Sequence, residues 1–127
     1  MKIRMQDNSI RLRLTRSEVD EVEREGVVRA TVSFPGGASL DYALESSAAA
    51  KVTGARFTGQ GIVVSVPQDV IRQWAATEQV SITTNQPLGA ETLLAILVEK
   101  DFACLAPREG EDESDMFPHP QKGQETC

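Results

Sequence analysis

Ser9-Ile10-Arg11-Leu12-Arg13-Leu14 and Gly61-Ile62-Val63-Val64-Ser65-Val66 decide how this 127-residue chain folds. Both segments hold apolar residues at their second, fourth and sixth positions, the period-two pattern of a strand with one buried face. They lie 52 residues apart, and sliding the chain by that distance brings its halves into register. Val19 then falls over Ile71 and Val22 over Trp74. Val28-Arg29-Ala30-Thr31 falls over Val80-Ser81-Ile82-Thr83, and the turn Pro35-Gly36-Gly37-Ala38 over Pro87-Leu88-Gly89-Ala90. Arg4 meets Arg56 and Ala43 meets Ala95. The shared phase of strand, helix and turn predicts an internal duplication of a β-β-α-β-β unit, with copies over about residues 1–45 and 53–99.

Local signals place the elements. Residues 2–6 and 9–14 flank Asp7-Asn8, a pair suited to a two-residue hairpin turn. Thr15-Arg16-Ser17-Glu18 is a capping box that starts a helix, and Gly26 ends it. Strands follow over about 27–34 and 38–45. The second copy gives strands at about 53–58 and 61–66, a helix from Pro67 to Thr77, and strands at about 79–84 and 91–99. Ser46-Ser47-Ala48-Ala49-Ala50 joins the copies; a helical reading of it stays open, because alanine favours helix. The expected fold is α+β: eight mostly antiparallel strands in a curved sheet or barrel, with two helices on its outer face. Closure into a barrel is favoured because it removes edge strands. Residues 1–106 are read as one domain and 107–127 as an acidic, flexible tail.

Composition narrows the function classes. The N-terminal residues Met1–Gln6 hold no apolar run of signal-peptide type and no stretch reaches membrane-spanning length, which points to a cytoplasmic protein without a membrane partner. Two cysteines, Cys104 and Cys127, are too few for a disulfide framework. The net charge is −6, and the stretch from Arg108 to Cys127 carries six acids against two bases. That balance argues against nucleic-acid binding, which needs a broad basic surface. Yet the first 16 residues hold five bases and one acid.

Those bases are the candidate site. A turn at Asp7-Asn8 sets Arg4 opposite Arg11 and Lys2 opposite Arg13, and directly opposed like charges cost up to ~1 kcal/mol per pair. Neighbouring acids or a bound anion must compensate. Alternation assigns Arg29, Asp41 and Glu45 to the same polar face, and the second copy retains Arg56. A solvated face crossed by salt bridges accounts for the pattern simply. The sharper reading is an anion-binding set of Lys2, Arg4, Arg11, Arg13, Arg29 and Arg56, with Asp41 and Glu45 as acidic counterparts. Arginine suits this role through bidentate hydrogen bonding.

A duplicated unit closing into an eight-stranded barrel with a charged lumen resembles the CYTH, or triphosphate tunnel, superfamily. That resemblance implies a triphosphate held by inward basic residues and a metal held by inward glutamates. The family's Glu-x-Glu-x-Lys signature is missing, since the matching strand reads Lys2-Ile3-Arg4-Met5-Gln6. Met1-Lys2-Ile3-Arg4, Asn8–Thr15 and Leu97–Leu105 are also similar to a family of small bacterial proteins of unknown function, which implies no activity.

The remaining candidates are weaker. Cys104, His119, Cys127 and Asp115 offer soft and hard metal ligands without any short Cys-x-x-Cys spacing, so no metal or other cofactor is expected. The expected function is a binding or accessory domain acting on a small anion or a protein partner. The alternative is a phosphate-binding barrel, with or without triphosphate hydrolysis.

Overall fold

The alternation in residues 2–14 produces the expected hairpin. In the computed structural model, which describes residues 1–102, Asp115 and Phe117, β1 (Lys2–Gln6) pairs antiparallel with β2 (Ser9–Leu14). Lys2 faces Arg13, Ile3 faces Leu12 and Arg4 faces Arg11. Asp7 makes the turn with a φ of 50°, a left-handed conformation that aspartate tolerates. Helix α1 (Arg16–Glu25) starts at the capping box, where the Glu18 carboxylate accepts from the Thr15 amide at 2.9 Å and its hydroxyl at 3.1 Å. Gly26 ends it at φ 87°, its amide donating to the Val22 carbonyl.

A second hairpin follows, β3 (Val27–Ser33) and β4 (Ser39–Ser47), joined by a short 3₁₀ turn at Pro35–Gly37. The joint at 46–50 is not helical: β4 runs through Ser47 and bends follow. Then come β5 (Gly54–Thr58), β6 (Gly61–Pro67), α2 (Gln68–Ala76), β7 (Ser81–Gly89) and β8 (Thr92–Lys100).

Among the described residues the expected barrel is absent. The eight strands form two four-stranded mixed sheets, β1-β2-β8-β7 and β3-β4-β6-β5. The four hairpins are antiparallel, but β2 pairs parallel with β8 and β4 parallel with β6. Each helix carries the chain from one sheet to the other, so the two hairpins of one half never share a sheet. Edge strands β5 and β7 approach each other through a side chain, with the Ala55 amide donating to Gln86 Oε1 at 2.7 Å. Among the described residues the sheets do not close around a lumen, and the tunnel resemblance loses its structural basis.

The hairpin registers agree with the 52-residue offset for the first hairpins only. The hairpin β5–β6 repeats the register of β1–β2 at an offset of 52 residues: Lys2 faces Arg13 and Gly54 faces Ser65. The second hairpins match at 54 instead, since Val28 faces Leu44 and Ile82 faces Val98. The net gain of two residues falls between β6 and β7: α2 is one residue shorter than α1, and the four residues Thr77–Val80 stand where Gly26 stands alone. The same 54-residue shift relates the amide-to-carbonyl bonds Ser46 to Gly26 and Lys100 to Val80.

With no barrel there is no outer face for the helices to cover. Instead α1 and α2 touch each other, and Val19, Val22, Ile71 and Trp74 join one core with Leu12, Leu14, Val28, Leu44, Val64, Val66, Ile82, Ile96 and Val98. Fully burying each such large side chain contributes roughly 1.5–3 kcal/mol. The Trp74 indole N–H donates to the Val80 carbonyl at 3.0 Å, so its burial leaves no donor unpaired. The β4–β6 junction needs a glycine: a Cβ on Gly61 would stand 2.0 Å from the Asp41 carbonyl oxygen. At the ends of the sheets away from the helices, Met5, Phe34, Phe57 and Leu88 are at least half exposed.

Candidate functional site

Lys2, Arg4, Arg11 and Arg13 lie together on the polar face of the β1-β2-β8-β7 sheet, because the β1–β2 register puts all four opposite the face of Ile3 and Leu12. Their compensating acid comes from β8. Arg11 Nε and Arg13 Nε both donate to Glu99 Oε1, at 2.6 and 2.7 Å. Parallel pairing of β2 with β8 sets Glu99 beside Arg13. Glu99 is 13% exposed at its side chain while the two arginines keep about a third of theirs in solvent. Each guanidinium thus spends its Nε on the carboxylate and retains its Nη groups for another acceptor.

Arg4 is different. Its Nη2 donates to Gln6 Oε1 at 3.1 Å, and among the described residues it has no carboxylate partner. Lys2 Nζ stands 3.3 Å from Oδ2 of buried Asp101, an attraction without hydrogen-bond geometry. A shallow depression of about 460 Å³ lies on this face, lined by Arg4, Gln6, Arg11, Thr83, Asn85 and Leu97 among others. A smaller one of about 230 Å³ spans Lys2, Arg4, Arg11 and Arg13.

The other expected residues lie on the second sheet and do not join this cluster. Arg56 Nη1 reaches Glu45 Oε2 and Ser65 Oγ, both at 3.0 Å, and the Ser65 hydroxyl donates to the same carboxylate oxygen. Those two donors hold the Glu45 carboxyl below its ordinary range, against the opposing effect of burial. Thr31 Oγ1 donates to Asp41 Oδ1 at 2.7 Å. Arg29 and Asp41 border a depression of about 130 Å³. The single polar face read from the sequence is therefore two faces, since α1 moves the chain between sheets after β2.

Glu99 and Asp101 escaped the sequence reading. The offset of 52 sets Glu99 over Ser47, whereas the observed 54 sets it over Glu45, already a candidate acid. Lys100 also escaped. Its Nζ donates to the Thr77 carbonyl at 2.7 Å and lies 6.0 Å from the Trp74 ring centre and 5.2 Å from that of Phe117. Burial lowers its pKa from the ordinary lysine value.

Two tail residues reach this end of the molecule. Asp115 accepts from the Ser17 amide at 3.1 Å and the Ser17 hydroxyl at 2.5 Å, at the start of α1. Phe117 packs edge-on against Phe102, with the Arg16 guanidinium 5.4 Å from its ring centre. Cys104, His119 and Cys127 lie outside the described residues. Among the described residues no group of three or more His, Cys, Asp or Glu is placed to hold a metal. No helix among them is long and apolar enough to cross a membrane.

The fold and the basic face describe an α+β protein of two mixed sheets with a guanidinium-lined surface. A model of a family of unknown function, DUF7009, matches residues 1–121, and the chain belongs to that family. No curated protein and no solved structure matches it.

Proposed function

We propose that the protein is a binding module whose polar β1-β2-β8-β7 face takes a phosphate-containing or carboxylate anion. The observation that carries this reading is the charge imbalance at Arg4, Arg11 and Arg13. Two guanidiniums share one carboxylate oxygen, and the third has only an amide oxygen. An anion seated among their free Nη groups would receive charge-assisted, bidentate hydrogen bonds and relieve the repulsion of Arg4 facing Arg11. Asn85 and Thr83 add neutral donors at the rim, and Leu97 gives the depression an apolar floor. The matching registers of the two halves support their origin in one duplicated unit, with charge elaborated on the first copy's leading hairpin.

A thermal-shift titration tests the proposal. Inorganic phosphate, triphosphate and citrate should raise the melting temperature more than chloride at equal ionic strength. Arg4→Ala should abolish that gain without lowering the stability of the free protein, because Arg4 holds no acid. Equal stabilisation by chloride and triphosphate would end the proposal.

A further inference from the structure

Antiparallel hairpins joined by parallel central strands put all four hairpin turns at the ends of the sheets opposite the helices. Seven large hydrophobic residues are exposed among the described residues, and six sit at these tips: Met5, Val32, Phe34, Phe57, Leu88 and Leu93. Phe57 is 79% exposed and Met5 57%. They are not scattered single residues. Met5 and Phe57 correspond at the 52-residue offset of the first hairpins, and Phe34 and Leu88 at the 54-residue offset of the second. The Ala55–Gln86 bond joins the strands that carry Phe57 and Leu88. Each lies two residues further towards the tips than that bond.

The charge pattern at this end is equally marked. Residues 5–10, 32–40, 57–62 and 86–94 hold no Lys or Arg and only two acids, Asp7 and Glu91, in a chain of net charge −6. Elsewhere the net charge opposes approach of an identical molecule. At the tips that opposition nearly vanishes. A charged partner finds nothing there to recognise, whereas a second copy presents the same neutral apolar surface.

We propose that the hairpin tips form a homodimer interface in which two copies pack end to end about a two-fold axis. The internal repetition favours this occupant. The end carries apolar residues at corresponding places of the two halves, Met5 with Phe57 and Phe34 with Leu88, so a rotated copy meets like with like. The extent is adequate. Six side chains, 41–79% exposed, offer several hundred Å² per copy, given roughly 150–250 Å² for each buried aromatic. Two copies together bury on the order of 1,000 Å², the lower bound for a specific interface.

Sedimentation velocity over a micromolar concentration series reads the result. The wild-type chain should sediment at twice the chain mass at the upper end and dissociate on dilution. Phe57→Asp and Phe34→Asp should each weaken association by at least about tenfold, since each buries an unpaired charge in the interface. Both positions are exposed, so circular dichroism melts should match wild type. Val52→Asp, at an exposed site between β4 and β5 on the helix side, should leave the dimer intact. A wild-type monomer at every concentration overturns the proposal, as does a dimer indifferent to both tip charges. A monomer that floats with phosphatidylcholine vesicles through Phe57 would reassign the tips to a lipid surface.

Discussion

Glu45 and Glu99 stand 54 residues apart on β4 and β8, and each is the carboxylate that outward side chains of other strands in its own sheet reach. The likeness ends with their partners. Glu99 takes Arg11 and Arg13, while Glu45 takes Arg56 and Ser65.

Glu99→Gln should therefore do two things at once. Removing the shared carboxylate leaves Arg11 and Arg13 unneutralised and should cost about 1–2 kcal/mol, measured by urea unfolding, because both arginines are partly solvated. The same change should strengthen stabilisation by phosphate, because the resident counter-charge is gone. A variant that loses stability without gaining phosphate response would separate the structural pair from the proposed site.

Glu45 sets an acid limb. Its folded carboxyl titrates below the ordinary value of 4.5 because Arg56 and Ser65 stabilise the charged form. Its contribution is present above the unfolded pKa and is lost as pH falls through the lowered folded value. Glu45→Gln should lower stability at neutral pH by less than about 1 kcal/mol, given its solvent exposure. Melting curves between pH 6 and 3 should then show a shallower acid decline than wild type.

The β7–β8 turn is chemically mismatched. Ala90 and Glu91 adopt φ of 44° and 66° between the paired residues Gly89 and Thr92. Left-handed backbone costs a non-glycine residue roughly 1–2 kcal/mol, and a two-residue turn of this kind prefers Asn-Gly. The double change Ala90→Asn with Glu91→Gly should raise stability by about 1 kcal/mol. Thermal denaturation checks it, and unchanged melting would mean that the turn is already relaxed.

Asp115 acts as a cap supplied from far along the chain. Asp115→Ala removes the acceptor of the Ser17 amide and hydroxyl and should lower stability, as helix-cap deletions do. Phe117→Ala should cost more, about 1–3 kcal/mol and below the full loss of a wholly buried aromatic, since Phe117 is only half-buried. Chemical denaturation of both variants gives the order.

Residues 1–34 were legible almost element by element, because their signals are local: a two-residue turn, a capping box and a C-terminal glycine. The first hairpin's register, with Arg4 against Arg11, followed from turn position alone. What alternation could not show was which hairpins become neighbours. Parallel pairing of β2 with β8 joins residues more than 80 positions apart and leaves no local mark, so Glu99 went unseen as the partner of Arg13. The barrel was expected on the ground that edges are costly. This fold keeps its edges and spans one gap with the Gln86 side chain. Four extra-helical residues after α2, Thr77–Val80, hid the change of offset because the apolar phase of a strand survives a shift of two.

Because β2 is completed by β8, and β4 by β6, the order of synthesis works against early folding. As the chain leaves the ribosome, Leu12 and Leu14 emerge with the first hairpin, but the strand that flanks them, Thr92–Lys100, is the last of the eight to appear. A nascent chain halted in the 48–53 connection holds two hairpins whose inner strands, β2 and β4, are paired on one side only. Its apolar faces must then be shielded by something other than itself. Two fragments cut at that connection should each remain unfolded alone and recover the native circular dichroism spectrum only when mixed, with a rate that rises with concentration.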